Sequence, residues 1–202
     1  MKLTKRILEL KEIIEECNPS SILDIGCRDC IVRSIYSGQY LGLDLFQNEF
    51  GSVDIISDFA TFKSEKMFQM VIAFDILEHM DNPQIQFPRM LELSEKYLAI
   101  SLPNNYDLLH TFRFVFKNKL SNKYIFHSEE VIDRHRWVVS MSDIEKFVKF
   151  NAKKYNLNYT FSYTHYFSDA TNMVKKIIGK LIFTILPKRW TVINCVILFE
   201  KK

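Results

Sequence analysis

Glycine is scarce in this sequence, with five in 202 residues. Only one of them, Gly26, falls in the turn after the first strand-like run. A dinucleotide fingerprint needs three glycines there, so that the backbone can approach a pyrophosphate and the next helix can pack close. Arg28 stands at the second of these positions, and neither Cys30 nor the residue after it supplies the third glycine. No Gly-Lys-Ser or Gly-Lys-Thr follows the turn, which excludes a P-loop. The four cysteines are too few for a disulfide framework in a chain of this size. Cys27 and Cys30 form a C-x-x-C, but no second such pair and no His pair completes a zinc set. They read as small residues filling the turn, and no metal site is expected. No run of eighteen apolar residues occurs, so no membrane span is expected. Met1 to Cys17 is charged and helical in pattern, so no signal peptide is expected and a reducing cytoplasm is the expected compartment. Repeats, linkers and low-complexity segments are also missing.

What is present centres on Ser21 to Asp44. Ser21 to Ile25 is a short apolar run that suits a buried parallel strand. Gly26 permits a tight turn, Cys30 to Tyr36 reads as a short helix, and Leu41 to Leu43 reads as a second strand. That strand ends in Asp44, twenty residues after Asp24. Strand, glycine turn, helix, strand and terminal acid is the plan of a nucleoside site, with the acid placed for the ribose hydroxyls. A single glycine preceded by an acid suits a ligand without phosphates and favours a cationic one. S-adenosylmethionine has those properties.

Further segments follow in order. Leu23-Asp24-Ile25-Gly26-Cys27, Leu41-Gly42-Leu43-Asp44, Asp54 to Phe59, Val71 to His79 and Ile100 to Asn104 together span about half of the chain. In this order they resemble the motifs of class I S-adenosylmethionine-dependent methyltransferases, in the small-molecule version whose fourth motif ends Leu-Glu-His. The resemblance implies an α/β fold. It would be a Rossmann-like, doubly wound, seven-stranded sheet, mostly parallel with the last strand antiparallel beside the fifth, and with helices on both faces. It implies S-adenosylmethionine as cofactor. The implied cofactor-binding residues are Asp24, Gly26, Cys27, Arg28, Asp44, Leu45, Asp58, Phe59 and Phe74. Asp44 serves the ribose and Asp58 with the Phe59 backbone serves the adenine edge. Asp24 orders the turn and the methionine ammonium, and Arg28 either forks the methionine carboxylate or faces solvent.

With 48% hydrophobic residues, 1–202 is expected to be one domain with a sizeable core. Residues 1–104 form the cofactor-binding half and 105–202 supply a substrate-side insertion and the C-terminal strands. Charge is unevenly spread. Residues 1–105 hold 10 Lys/Arg and 16 Asp/Glu, a net of −6, whereas 106–202 hold 17 and 8, a net of +9. The basic half is the expected place to meet an anionic ligand or a membrane surface. Within it, Asn105 to Lys123 reads as a basic, aromatic-rich helix, either packed on the sheet or in contact with a lipid headgroup or anionic acceptor. Ser142 with Glu145 reads as a capping box for a helix to about Tyr155. Tyr159 to Phe167 alternates as a strand, Asn172 to Leu186 reads as a second basic-apolar helix, and Thr191 to Phe199 is the last strand.

Methyl transfer from a sulfonium is an in-line displacement in which the protein supplies position and, for a hydroxyl acceptor, a base. His79 and His135 are the candidate bases, and Glu78 is a further residue that would face the acceptor. The expected acceptor is an oxygen on a small metabolite, lipid precursor or glycan. Three other readings remain: RNA methylation, less expected because no RNA-binding domain is present; a degenerate binding module without cofactor; and a protein peripheral to a membrane.

Overall fold

The computed structural model describes residues 4–117, 122–124, 128–129, 131, 134–165, 177, 181 and 184–202. Seven strands form: β1 (Ser21–Ile25), β2 (Gln39–Asp44), β3 (Ile55–Ile56), β4 (Phe68–Phe74), β5 (Ser94–Pro103), β6 (Leu157–His165) and β7 (Val192–Lys201). They make one sheet in the order β3-β2-β1-β4-β5-β7-β6. The first five pair in parallel, and β7 lies antiparallel between β5 and β6. This is the expected architecture.

The order follows from burial. All five residues of β1 are buried, as are Met70 to Ala73 of β4, so the most apolar runs occupy the middle. β6, with its polar-aromatic alternation, is left at an edge. The chain winds outward from β1 to β3, then returns to β4 and winds the other way. The switch point therefore lies between β1 and β4, where open α/β sheets bind ligands at the strands' carboxyl ends.

Alternate strand residues supply two cores. On one face, α1 (Lys5–Cys17) packs Leu10 and Ile14 against Ile22, Met70, Ile72 and Ala99. Asn18, in the left-handed conformation, ends that helix with its N–H on the Ile14 carbonyl. On the other face, α2 (Pro83–Leu93) and α4 (Met141–Lys154) cover Leu23, Val71, Leu98 and Ile197. Phe87 of α2 locks this side, with T-shaped contacts to Phe147 of α4 at 5.2 Å and Phe199 of β7 at 5.1 Å. Burial of Phe87, Met90 and Leu91 holds α2 together despite Pro88 in its interior.

Several local expectations are corrected. Cys30 to Tyr36 is not an α-helix but a single 3-10 turn, Ile31–Ser34, which buries only Val32. With one apolar anchor, a longer helix has nothing to pack. The third strand is confined to Ile55–Ile56, because the Asp54 carboxylate is drawn to the Gly42 N–H at 2.7 Å and to Arg33 at 2.6 Å. The capping box is Ser140 with Asp143, not Ser142 with Glu145. The Asp143 N–H donates to Ser140 Oγ at 3.2 Å and the Ser140 N–H to Asp143 Oδ2 at 3.1 Å. Burial of Met141 and Ile144 requires the earlier start. The aromatic-rich helix α3 runs Leu108–Lys117, and the helix expected over Asn172–Leu186 falls largely outside the described residues. Among the described residues no helix is long and apolar enough to cross a membrane.

Candidate functional site

The loop after β1 is built on the carboxyl end of β2. The N–H groups of Gly26 and Cys27 both donate to the Leu43 carbonyl, at 2.7 and 3.2 Å. Gly26 has φ +71°, and a Cβ there would sit 1.9 Å from the end of the Ile76 side chain. Arg28, at the position of the second glycine, and Cys30 have φ +46° and +52°. The loop thus keeps a glycine-type backbone without the glycines. It is held by the Asp44 carboxylate, which accepts the Arg28 N–H at 2.8 Å. The Asn48 side chain donates to the Arg28 carbonyl at 2.7 Å.

Asp44 therefore sits at the end of β2 with one oxygen on the loop and the other turned to the Phe46 N–H at 3.4 Å. A carboxylate accepts about four hydrogen bonds, so capacity for two hydroxyls remains. Asp24 lies deeper and is 5% exposed. It accepts the Tyr40 hydroxyl at 2.8 Å, and burial pushes its pKa up to about 7. Cys27 and Cys30 are buried beneath the loop, with their sulfurs 3.5 Å apart. Leu45 is exposed beside Asp44. Asp58 is exposed at the end of β3 and caps its own turn through the Ala60 N–H at 2.8 Å. Phe59 is buried as a whole residue, with the Arg89 guanidinium 5.2 Å from its ring. Phe74 ends β4, half-buried.

A second group forms just past β4. Asp75 has φ +54° and is fixed by an ion pair to Arg6 of α1, the Ser101 hydroxyl at 2.7 Å and the Asn194 amide at 3.1 Å. The following turn, Leu77–His79, receives the strap 134–137. The Arg136 N–H donates to the Glu78 carbonyl at 2.8 Å and its Nε to the His79 carbonyl at 2.9 Å. The indole of Trp137 donates to the Met80 carbonyl at 2.8 Å, and Arg136 pairs with Asp81. This docking brings the two candidate histidines, 56 positions apart in sequence, into a T-shaped contact with ring centroids 4.6 Å apart.

Glu78 joins them. Its carboxylate, His79 and His135 each place one ligand atom within 4.8 Å of the others. Glu78 is 1% exposed, and neither oxygen has a hydrogen-bond partner among the described residues. Burial, then the nearby Asp75 charge, pushes its pKa up to about 8. His79 Nδ1 lies 3.0 Å from the Arg134 carbonyl, which can only accept. In the neutral ring the proton is therefore on Nδ1 and Nε2 is the basic nitrogen. His135 Nδ1 is 2.6 Å from the Tyr124 hydroxyl, which also meets the Asn105 side-chain oxygen at 2.7 Å. A largely apolar cavity of about 240 Å³ opens beside Glu78, lined by Leu77, Trp137, Ile144 and Phe147. Two imidazoles and a carboxylate are a donor set suited to a divalent transition metal as well as to proton transfer. No metal site was expected from the sequence, so this is an addition to it.

Sequence reasoning missed Arg6, Ser101 and Asn194, which surround Asp75, and Asn105 and Tyr124, which carry His135. Arg6 is one cation among several on an amphipathic helix, and nothing in its spacing distinguishes it. Of the strap, only His135 was named as a site residue from the sequence, and its docking on the Leu77–His79 turn was not legible.

Neither a family model nor a curated protein sequence matches the chain. Solved structures do. The plantazolicin methyltransferase BpumL in complex with SAH has a TM-score of 0.61 at 16% identity, over 98% of this chain and 84% of that one. The methyltransferase domain of bacterial CtHen1-CN has a TM-score of 0.59 at 14% identity, over 96% and 97%. A SAM-dependent methyltransferase from Archaeoglobus fulgidus gives 0.55 at 16%, over 96% and 94%. The fold is the one these methyltransferases share.

Proposed function

We propose that the chain transfers a methyl group from S-adenosylmethionine to an oxygen of a small polar acceptor, such as a metabolite, a glycan or a lipid precursor. The observation that carries this reading is one of placement. The glycine-type loop follows β1 and the Glu78–His79 turn follows β4, the two strands that flank the switch point; Asp44 at the end of neighbouring β2 holds the loop, and His135 is docked on the turn.

The residues present fit that cofactor. Asp44 retains acceptor capacity for the ribose hydroxyls, and the missing Cβ at Gly26 lets the Ile76 side chain pack against the loop. When bound, S-adenosylmethionine supplies an activated methyl on a cationic sulfur, with a neutral thioether as leaving group. This chain supplies position and proton handling. His79 Nε2 takes the hydroxyl proton as the acceptor oxygen bonds to the methyl carbon, and Nδ1–H on the Arg134 carbonyl stabilises the ring as it charges. The cavity beside Glu78 takes an apolar part of the acceptor.

A second reading of the same cluster is supported by the two unpartnered oxygens of Glu78. Glu78, His79 and His135 would hold a divalent cation, which would lower the pKa of a bound hydroxyl. One set of measurements tests both. Calorimetric titration with S-adenosylhomocysteine should give micromolar binding that is lost in Asp44→Ala. Absence of binding to the wild type sinks the cofactor assignment. Thermal shift with Mn²⁺ and Mg²⁺, on the wild type and His135→Ala, separates metal from base. A shift lost in the variant supports the cation, and no shift leaves the histidine as base.

A further inference from the structure

Helix α3 departs from the other long helices. Helices α1, α2 and α4 each bury residues in a core, whereas α3 buries none. All but one of its apolar residues are nevertheless ordered, the exception being Phe114, exposed on the opposite side. Leu108, Leu109, Phe112, Val115 and Phe116 recur at spacings of one, three and four, which places them on one arc of about 120°. All five are exposed, Phe116 at 72%, and the rings of Phe112 and Phe116 touch at 4.7 Å. Arg113 and Lys117 border the arc on one side. No acid occurs in the sequence between Asp107 and Glu129, while Arg113, Lys117, Lys119 and Lys123 do.

A second stretch repeats the pattern. Ile177, Leu181 and Ile185 are exposed at a spacing of four. Between Asp169 and Glu200 the sequence has five cations and no acid. The two stretches start from one point of the fold. Asn104, just before α3, donates through its side chain to the carbonyls of Arg189 at 3.0 Å and Val192 at 2.7 Å. Buried Asp107 then receives the N–H groups of Leu109 and His110 at 3.0 and 3.1 Å, so the root of α3 is fixed to the body. Asn105 joins that root to His135 through Tyr124. The root of α3, though not the arc itself, is therefore tied to the acceptor cluster.

We infer that α3 is a docking surface for an anionic lipid bilayer, with its apolar arc in the acyl boundary and its cations at the headgroups. Long basic side chains flanking an exposed aromatic arc match such an interface, where their stems lie along apolar surface and their charges meet lipid phosphates. A nucleic acid would need the cations to dominate the face, and here the apolar residues do. A second copy of this chain would have to set Arg113 and Lys117 against equal charges across a symmetric contact. Seated on a membrane, the acceptor cluster would open near headgroup level.

The test is co-sedimentation with vesicles of phosphatidylcholine alone and of phosphatidylcholine with 30% phosphatidylglycerol, in low and high salt. The wild type should bind the anionic vesicles, more weakly as salt rises, and bind the neutral ones poorly. Arg113→Glu/Lys117→Glu and Phe112→Ser/Phe116→Ser should each lower binding by at least about tenfold. None of these side chains is buried, so both variants should melt with the wild type. The inference is overturned by no binding to the anionic vesicles at millimolar lipid, or by binding that the Phe pair leaves unchanged. It is also overturned by a dimer in light scattering that the Phe variant abolishes, or by tighter binding to single-stranded RNA than to vesicles. None of these outcomes depends on methyl transfer.

Discussion

The two edges of the site differ in how their polar groups are satisfied. On the β1–β2 side the loop is held by its own backbone. Gly26 and Cys27 bond to Leu43, Arg28 bonds to Asp44, and Asn48 ties the loop from outside. On the β4–β5 side, Glu78 is buried with neither oxygen partnered among the described residues, and a whole helix stands with no residue in the core. A buried polar group left without a partner costs about 1–3 kcal/mol, more when charged. The first edge is complete before any ligand arrives. The second keeps uncompensated groups in one place, which is the mark of a site that expects a partner.

The sharpest way to break this comparison is to neutralise its unsatisfied member. Glu78→Gln keeps the shape and removes the charge. It should lower the methyl-transfer kcat by about 10²–10³-fold if the cluster handles the acceptor proton or a cation. Affinity for S-adenosylhomocysteine should stay within about threefold, because Asp44 lies on the other edge. Equal loss of kcat and cofactor affinity, read by steady-state kinetics beside calorimetry, would merge the two edges into one. The mirror change is Asp44→Ala. Two hydrogen bonds to a carboxylate are worth about 1.5–3 kcal/mol each net of solvent, so cofactor affinity should fall by at least about 10²-fold. Some of that loss will come from the Arg28 N–H, which the variant also releases.

The third change separates structural from functional burial. Asp24 has a folded pKa of about 7 against an ordinary 3.8. Below about pH 4 the carboxyl is protonated in both folded and unfolded chains. Between about pH 4 and pH 7 the unfolded chain ionises first, so this group's contribution to stability falls by up to about 1.4 kcal/mol per pH unit and levels off above. Asp24→Asn can still accept the Tyr40 hydroxyl. Denaturant midpoints from pH 4 to 8 should decline less steeply in the variant than in the wild type. Parallel profiles would show that Asp24 is better solvated than its 5% exposure implies.

The division between edges also marks what the sequence can carry. The β1–β2 edge was legible as local structure because each element is local: an apolar run, a turn and an acid within twenty-four residues. Strand ends from Asp24 to Phe74 were placed correctly for the same reason, since buried parallel strands announce themselves as unbroken apolar runs. The acceptor side was half legible. His79 and His135 were both named, but their contact depends on Arg136 and Trp137 bonding to carbonyls of a distant turn. Backbone carbonyls leave no trace in side-chain pattern. Glu78 was named as facing the acceptor, but its 1% exposure was not legible, because burial is not a property of residue type. The 3-10 turn at Ile31–Ser34 misleads for the opposite reason: local preference gives way to packing.

The smallest expected effect tests the completeness of the first edge from within. Arg28 is exposed, has φ +46°, and contributes its backbone N–H to Asp44. A residue with a Cβ in the left-handed region is strained by about 1–2 kcal/mol, while glycine there gives back part of that gain through its freer unfolded chain. Arg28→Gly should therefore raise stability by about 0.5–1 kcal/mol, or a few degrees in Tm for a chain of this length. Arg28→Ala is the control. It removes the same side chain but keeps the Cβ, so it should leave the Tm within about one degree of the wild type. If both variants gain equally, the side chain and not the backbone was the source of strain. If neither gains, the loop relaxes around Arg28, and the glycine-type conformation owes its stability to Asp44 and Asn48 alone. Cofactor affinity then discriminates further. A loop already set by Leu43 and Asp44 should bind S-adenosylhomocysteine equally in Arg28→Gly and Arg28→Ala, whereas a difference between them would mean that the backbone at this position still moves to admit the ligand.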